Sequence, residues 1–171
     1  MASYARQMAD RPQVADHYGA QYRDFADDVY AEFRRAAFGQ DVGQNSWLTV
    51  DELERFGVQL QLGSSSRLLD VGCGSGGPAL HLARATGCQV VGVELYEEAV
   101  ASGNRGAHKA GLEEEVTFVQ ADASGALPFE EGEFDALFAS TRSIISQTAT
   151  GSLPTGRACY APAGDCCSPI Q

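Results

Sequence analysis

Residues 68–80 read LLDVGCGSGGPAL. A short apolar run leads into Gly72, Gly74, Gly76 and Gly77, and Pro78 opens the segment that follows. That order describes a buried strand, a loop able to turn sharply, and a helix with proline at its first position. Such a loop lets a ligand come close to the backbone, and the helix start behind it supplies unpaired N–H groups. The glycines alone leave the ligand open, because Gly72-x-Gly74-x-x-Gly77 also satisfies the dinucleotide fingerprint.

Working outward, short apolar strands alternate with helical segments. RLLDV (Arg67 to Val71) is a strand, Pro78 to Thr86 a helix closed by Gly87, and QVVGVEL (Gln89 to Leu95) a second strand. Glu97 to Ala110 is a helix closed by Gly111, VTFVQAD (Val116 to Asp122) a third strand, and FDALFA (Phe134 to Ala139) a fourth. This alternation predicts an α/β fold with a parallel, doubly wound Rossmann-like sheet. Upstream, Val14, Tyr18, Tyr22, Phe25, Val29 and Phe33 recur at helical steps and are expected to face a core. After a break at GQDVGQNSW, Thr49 and Glu52 form a capping box, and Leu53, Phe56 and Leu60 continue that helix inward. The expected organisation is a helical cover over residues 1–66, a ligand-binding core over 67–139, and an aberrant tail over 140–171.

The chain carries a net charge of −11, and all but one of its 23 acidic residues precede residue 141. A nucleic-acid partner is disfavoured, because phosphate contacts need clustered Lys and Arg. No apolar run is long enough to cross a bilayer, and MASYARQMADRPQ lacks the apolar centre of a signal peptide. Five cysteines include no CxxC or Cys/His spacing suited to zinc. A cytoplasmic protein without a metal is expected. Cys73 reads as a small side chain between close-packed glycines rather than a nucleophile, and Glu113 to Glu115 as a solvated turn.

Asp70 narrows the choice of ligand, since a carboxylate just before the loop would repel a pyrophosphate and hold a cation. S-adenosylmethionine, with a sulfonium and an amino group, suits it better than NAD. Glu94 ends the second strand, where a ribose diol could donate two hydrogen bonds to it, and Asp122 ends the third, placed to accept from an adenine amino group. Three acidic residues thus stand at the carboxyl edge of successive strands, where open α/β sheets bind ligands.

LLDVGCGSGGPALHLA, VVGVEL, VQADASGALPF and FDALFA resemble the successive motifs of class I S-adenosylmethionine-dependent methyltransferases. The likeness spans residues 67–139 and, more loosely, 14–66. It implies that Gly72, Cys73 and Gly74 meet the methionine part of the cofactor, that Glu94 takes the ribose hydroxyls with Leu95 beside it, and that Asp122 and Ala123 meet adenine. The leader, with YGAQYRDF and QNSWLT, is similar to small-molecule methyltransferases whose N-terminal helices cover the cofactor, which places Tyr22 and Trp47 as candidates for the methyl pocket. The implied acceptor is a small molecule, such as an amine- or carboxylate-bearing metabolite. No catalytic base is assigned.

The tail departs from that pattern. The family continues with a helix, a loop of the type RVLRPGG and three further strands, whereas this chain reads STRSIISQTATGSLPTGRACYAPAGDCCSPIQ. Taking the last base of each codon with the first two of the next turns the Cys159–Tyr160 step into a leucine codon, and the steps into Cys166 and Cys167 likewise. With permitted codons elsewhere, Arg157 to Gln171 then reads A-R-V-L-R-P-G-G-R-L-L-F-T-D-P. A slip of reading frame near Ala139 is the expectation. Strands five to seven would be missing, leaving the fourth strand with an open edge through which the chain would oligomerise. Two other readings stay open: an NAD-dependent oxidoreductase, and a non-catalytic fragment that binds the donor.

Overall fold

The computed structural model describes residues 28–44, 48–139, 157–160 and 168–169. Among the described residues two helices precede the sheet, α1 (Asp28–Phe38) and α2 (Val50–Gln59). The alternating core follows: β1 (Arg67–Val71), α3 (Gly77–Thr86), β2 (Gln89–Glu94), α4 (Glu97–Ala110), β3 (Val116–Gln120) and β4 (Ala136–Ala139). Two short strands, β5 (Arg157–Tyr160) and β6 (Ser168–Pro169), complete a sheet of order β3-β2-β1-β4-β5-β6.

The topology follows from handedness. β1, β2 and β3 step in one direction, so right-handed crossovers put α3 and α4 on the same face, where Ala79, Leu82 and Ala107 join Leu68, Val90, Val116 and Phe118 in one core. The chain then returns past β1 to β4. Residues 121–134 pass over the other face, where Leu127, Phe129 and Phe134 pack with Leu69, Val71, Val93 and Leu137. Strand order reverses between β1 and β4, which puts a ligand crevice at their carboxyl ends.

α2 starts as its capping box predicts: Thr49 N–H donates to Glu52 Oε2 at 2.9 Å, and Glu52 N–H donates to Thr49 Oγ1 at 3.3 Å. Leu53, Phe56 and Leu60 are buried, with Phe56 against Phe138 at 5.8 Å between ring centroids. The upstream stripe behaves differently. Phe33, expected in the core, is 60% exposed, because α1 turns Arg34 inward instead, with 7% exposure. Val14, Tyr18, Tyr22 and Phe25 lie outside the described residues, as does Trp47.

The outer edge of β4 is not open. β5 pairs with it in parallel, Ala136 opposite Arg157 through Ala139 opposite Tyr160, and β6 pairs antiparallel with β5. The expectation of an uncovered ladder is corrected on this point, for a plain reason. A ladder needs extended backbone with N–H and C=O groups to share, and four residues without any apolar period can supply that.

Candidate functional site

Side chains alternate along β1, so Asp70 shares the helix-covered face with Leu68, while Leu69 and Val71 face the other way. Its register partners are Gly92 on β2 and Phe138 on β4. Two residues beyond Gly92 on that same face stands Glu94, so two carboxylates occupy neighbouring strand tips. Asp70 is 2% exposed, and none of the described residues donates a hydrogen bond to its carboxyl. Burial, reinforced by the negative charge of Glu94, pushes Asp70 up to about 8. A buried acid without a donor partner fits a cationic ligand group, which would supply the missing compensation.

Glu94 is 8% exposed and already well bound. Its Oε1 accepts from the N–H groups of Leu95 at 2.8 Å and Tyr96 at 3.2 Å, and its Oε2 accepts from Gly74 N–H at 3.0 Å. A carboxylate offers about four acceptor positions, so about one remains for a sugar hydroxyl. Glu94 therefore ties the end of β2 to the glycine loop as well as facing the crevice.

The loop itself is held by Gly72 and Cys73, whose N–H groups both donate to Val93 C=O at 2.9 and 3.1 Å. Gly72, Gly74 and Gly76 have φ of 72°, 57° and 81°, backbone that side-chain-bearing residues rarely adopt. Cys73 is buried, and burial together with Asp70 and Glu94 pushes its thiol well up, away from nucleophilic behaviour. The ring of Phe118 fills the space beside the loop: a Cβ on Gly76, Gly92 or Gly103 would collide with it.

Gly77 has a different neighbour. A Cβ there would run into the carbonyl oxygens of Val42 and Gly43, from the segment between α1 and α2. Ser75 Oγ also donates to Gly43 C=O at 3.4 Å. Carbonyl oxygens thus lie against the first residue of α3, where a dinucleotide pyrophosphate would need N–H groups and positive potential.

Asp122 does not end β3, which stops at Gln120. It begins the next turn, where its Oδ1 accepts from Ser124 N–H at 2.9 Å and Ser124 Oγ at 2.7 Å. The polar side chain favours the turn over continued pairing. Ala123 packs toward the opposite core and Leu95 is half-buried, its C=O accepting from Gln120 Nε2 at 2.9 Å. Asp70, Gly72, Cys73, Gly74, Glu94 and Leu95 therefore come together around the loop, with Asp122 and Ala123 just beyond the neighbouring strand. Among the described residues, no three His, Cys, Asp or Glu side chains cluster as a metal site, and no helix is long and apolar enough to cross a membrane.

Two groups escaped the sequence reading. Arg34 and Asp41 form a two-pronged ion pair, seven residues apart across the end of α1. Asn104 of α4 clamps the backbone of Phe118, donating to its C=O and accepting from its N–H, each at 3.0 Å. The only sequence signal for the first was an Asp-x-Gly turn after a helix carrying arginine.

Comparison with known proteins agrees with this geometry. A 27-O-demethylrifamycin SV methyltransferase of Amycolatopsis mediterranei is 32% identical over 121 residues, covering 66% of this chain and 44% of that protein. A sterol 24-C-methyltransferase of Gibberella zeae is 29% identical over 167 residues, covering 91% of this chain and 43% of that protein. A solved geranyl diphosphate methyltransferase, in complex with GPP and sinefungin, superposes with a TM-score of 0.58 at 26% identity, covering 66% of this chain and 45% of that one. The chain spans less than half the length of these relatives. The NAD-dependent alternative finds no support among them. A family described as a methyltransferase domain matches residues 68–154, just over half of the chain and past Ala139, and the protein belongs to that family.

Proposed function

We propose that the chain is the donor-binding part of an S-adenosylmethionine-dependent methyltransferase acting on a small-molecule acceptor. The observation that carries this reading is the sign of the site: Asp70 and Glu94 stand at the strand tips, and carbonyl oxygens of Val42 and Gly43 cover the helix start. That surround favours a cation and disfavours a phosphate. The molecules named for the relatives, 27-O-demethylrifamycin SV, sterol and geranyl diphosphate, support a small organic acceptor rather than a macromolecule.

When bound, the donor would supply an activated methyl group on sulfur, transferred by direct displacement. The chain's part is to hold the donor in line and exclude water. Asp70 would balance the donor's positive charge, Gly72, Cys73 and Gly74 would line its methionine end, Glu94 would accept from a ribose hydroxyl, and Asp122 and Ala123 would border the adenine. Tyr22 and Trp47 would border the transferred methyl group. The compartment that fits this chemistry is the cytoplasm.

Titration calorimetry with S-adenosylmethionine, S-adenosylhomocysteine and NAD tests the reading. The two adenosyl ligands should bind, NAD should not, and Glu94→Gln should weaken the adenosyl ligands; NAD binding in their place overturns it. Labelled methyl transfer to a panel of small molecules separates an active enzyme from a fragment that only binds the donor. The frame slip belongs to this proposal too, and an unbroken frame through codons 139–171 of the gene refutes it.

A further inference from the structure

Residues 39–44 form a strap between α1 and α2 that rests on the glycine loop. Arg34 sends Nε and Nη2 to the two oxygens of Asp41. Asp41 Oδ1 also accepts from Gly43 N–H at 2.8 Å. Gln44, itself buried, accepts from Val42 N–H at 3.0 Å and donates to Gln40 C=O at 3.3 Å. Through Val42 and Gly43 the strap touches Gly77 and Ser75.

A buried guanidinium is costly unless paired, and losing either partner leaves an uncompensated charge. α1 nevertheless buries Arg34 and leaves Phe33 outside, so its inward face carries a guanidinium paired with Asp41. Burial pushes the Asp41 carboxyl up, yet hydrogen bonds from Arg34 and Gly43 and the charges of Arg34 and Arg35 outweigh it and hold the group below its ordinary value. The ionised pair is the resting state at neutral pH.

We propose that Arg34 and Asp41 are positioning residues for the donor site: their ion pair clasps the strap over Ser75 to Gly77 and so fixes the loop that receives the donor's methionine end. Gly77 is small to let the strap pass, not to let a ligand approach. The donor end of this inference rests on the function proposed above; the loop-fixing end does not.

The test uses the full chain, with amide hydrogen exchange read at Val42, Gly43, Gly74 and Gly76, and S-adenosylhomocysteine titrated as the probe. In Asp41→Ala, exchange at Val42 and Gly43 should rise, Gly74 and Gly76 should follow, and probe affinity should fall about tenfold, the worth of a charge-assisted hydrogen bond. Asp41→Asn keeps an oxygen for Gly43 N–H and should recover part of both losses, while amides inside β1 and β2 stay protected in each variant. Gly77→Ala pushes the strap off with both charges intact and should reproduce the pattern even if Asp41→Ala does not fold.

Wild-type exchange at Gly74 and Gly76 in a variant whose strap amides are released overturns the inference, as does loss of protection spread equally over β1 and β2. If the unaltered chain binds no probe, the donor reading fails, and the exchange at Gly74 and Gly76 alone decides the clasp.

Discussion

The glycine loop is gripped by two unlike kinds of contact. On the sheet side the Phe118 ring fits against Gly76, Gly92 and Gly103, so the grip is apolar surface and close fit. On the strap side it is polar backbone, the carbonyls of Val42 and Gly43 against Gly77 and Ser75, backed within the strap by an ion pair and by N–H groups that donate to Asp41 and Gln44. Burial sets the shape of the seat whatever the pH, whereas charge sets how firmly it is closed and answers to protonation.

The most severe way to break this contrast is Phe118→Ala. Removing a buried ring beside three glycines that cannot fill the space should cost ~3–5 kcal/mol of stability by chemical denaturation. A loss below ~1 kcal/mol would show that the sheet side contributes no more than the strap.

Asp70 lies between the two regimes, buried like one and ionisable like the other. Its pKa is raised from an ordinary 3.8 to about 8 in the folded chain, so between these values the native state holds a proton that the unfolded chain has released. Stability from this group is therefore full below pH ~4 and declines as pH rises toward ~8, at up to about 1.4 kcal/mol per pH unit. Asp70→Asn should flatten that slope in denaturation curves taken from pH 5 to 8. A cationic donor beside Asp70 should expel the proton at pH 7. Calorimetry in buffers of different ionisation enthalpy would then show proton release with the unaltered chain and none with Asp70→Asn.

Smaller effects sharpen the other side. Asp41 has the opposite sign to Asp70: its folded pKa is depressed, so its contribution is present above pH ~4 and lost as pH falls through the folded value. Amide exchange at Gly43 should accelerate on acidification before the core strands respond. Thr49→Ala removes the capping box that opens α2 and should cost about 1 kcal/mol in thermal melts, with S-adenosylhomocysteine affinity unchanged.

The sequence made some of this legible and not the rest. β1 and α4 run over the residues that period and capping predict, and Leu53, Phe56 and Leu60 turn inward as their spacing requires. Apolar periodicity reports burial directly. It misleads at Phe33, where the helix buries Arg34, paired with Asp41, in place of the ring, and it has nothing to say about β5, whose pairing with β4 is a backbone ladder. The carboxylates at 70 and 94 were readable because strand ends are positions. Their partners were not, since Gly74 N–H reaches Glu94 only after the loop has folded.

Asn104 has a bearing on how copies of this chain meet. Among the described residues β3 is the terminal strand of the sheet, and at Phe118 its outward N–H and C=O are already satisfied by one carboxamide. An incoming strand must first evict that side chain, so the edge is interrupted at its middle residue.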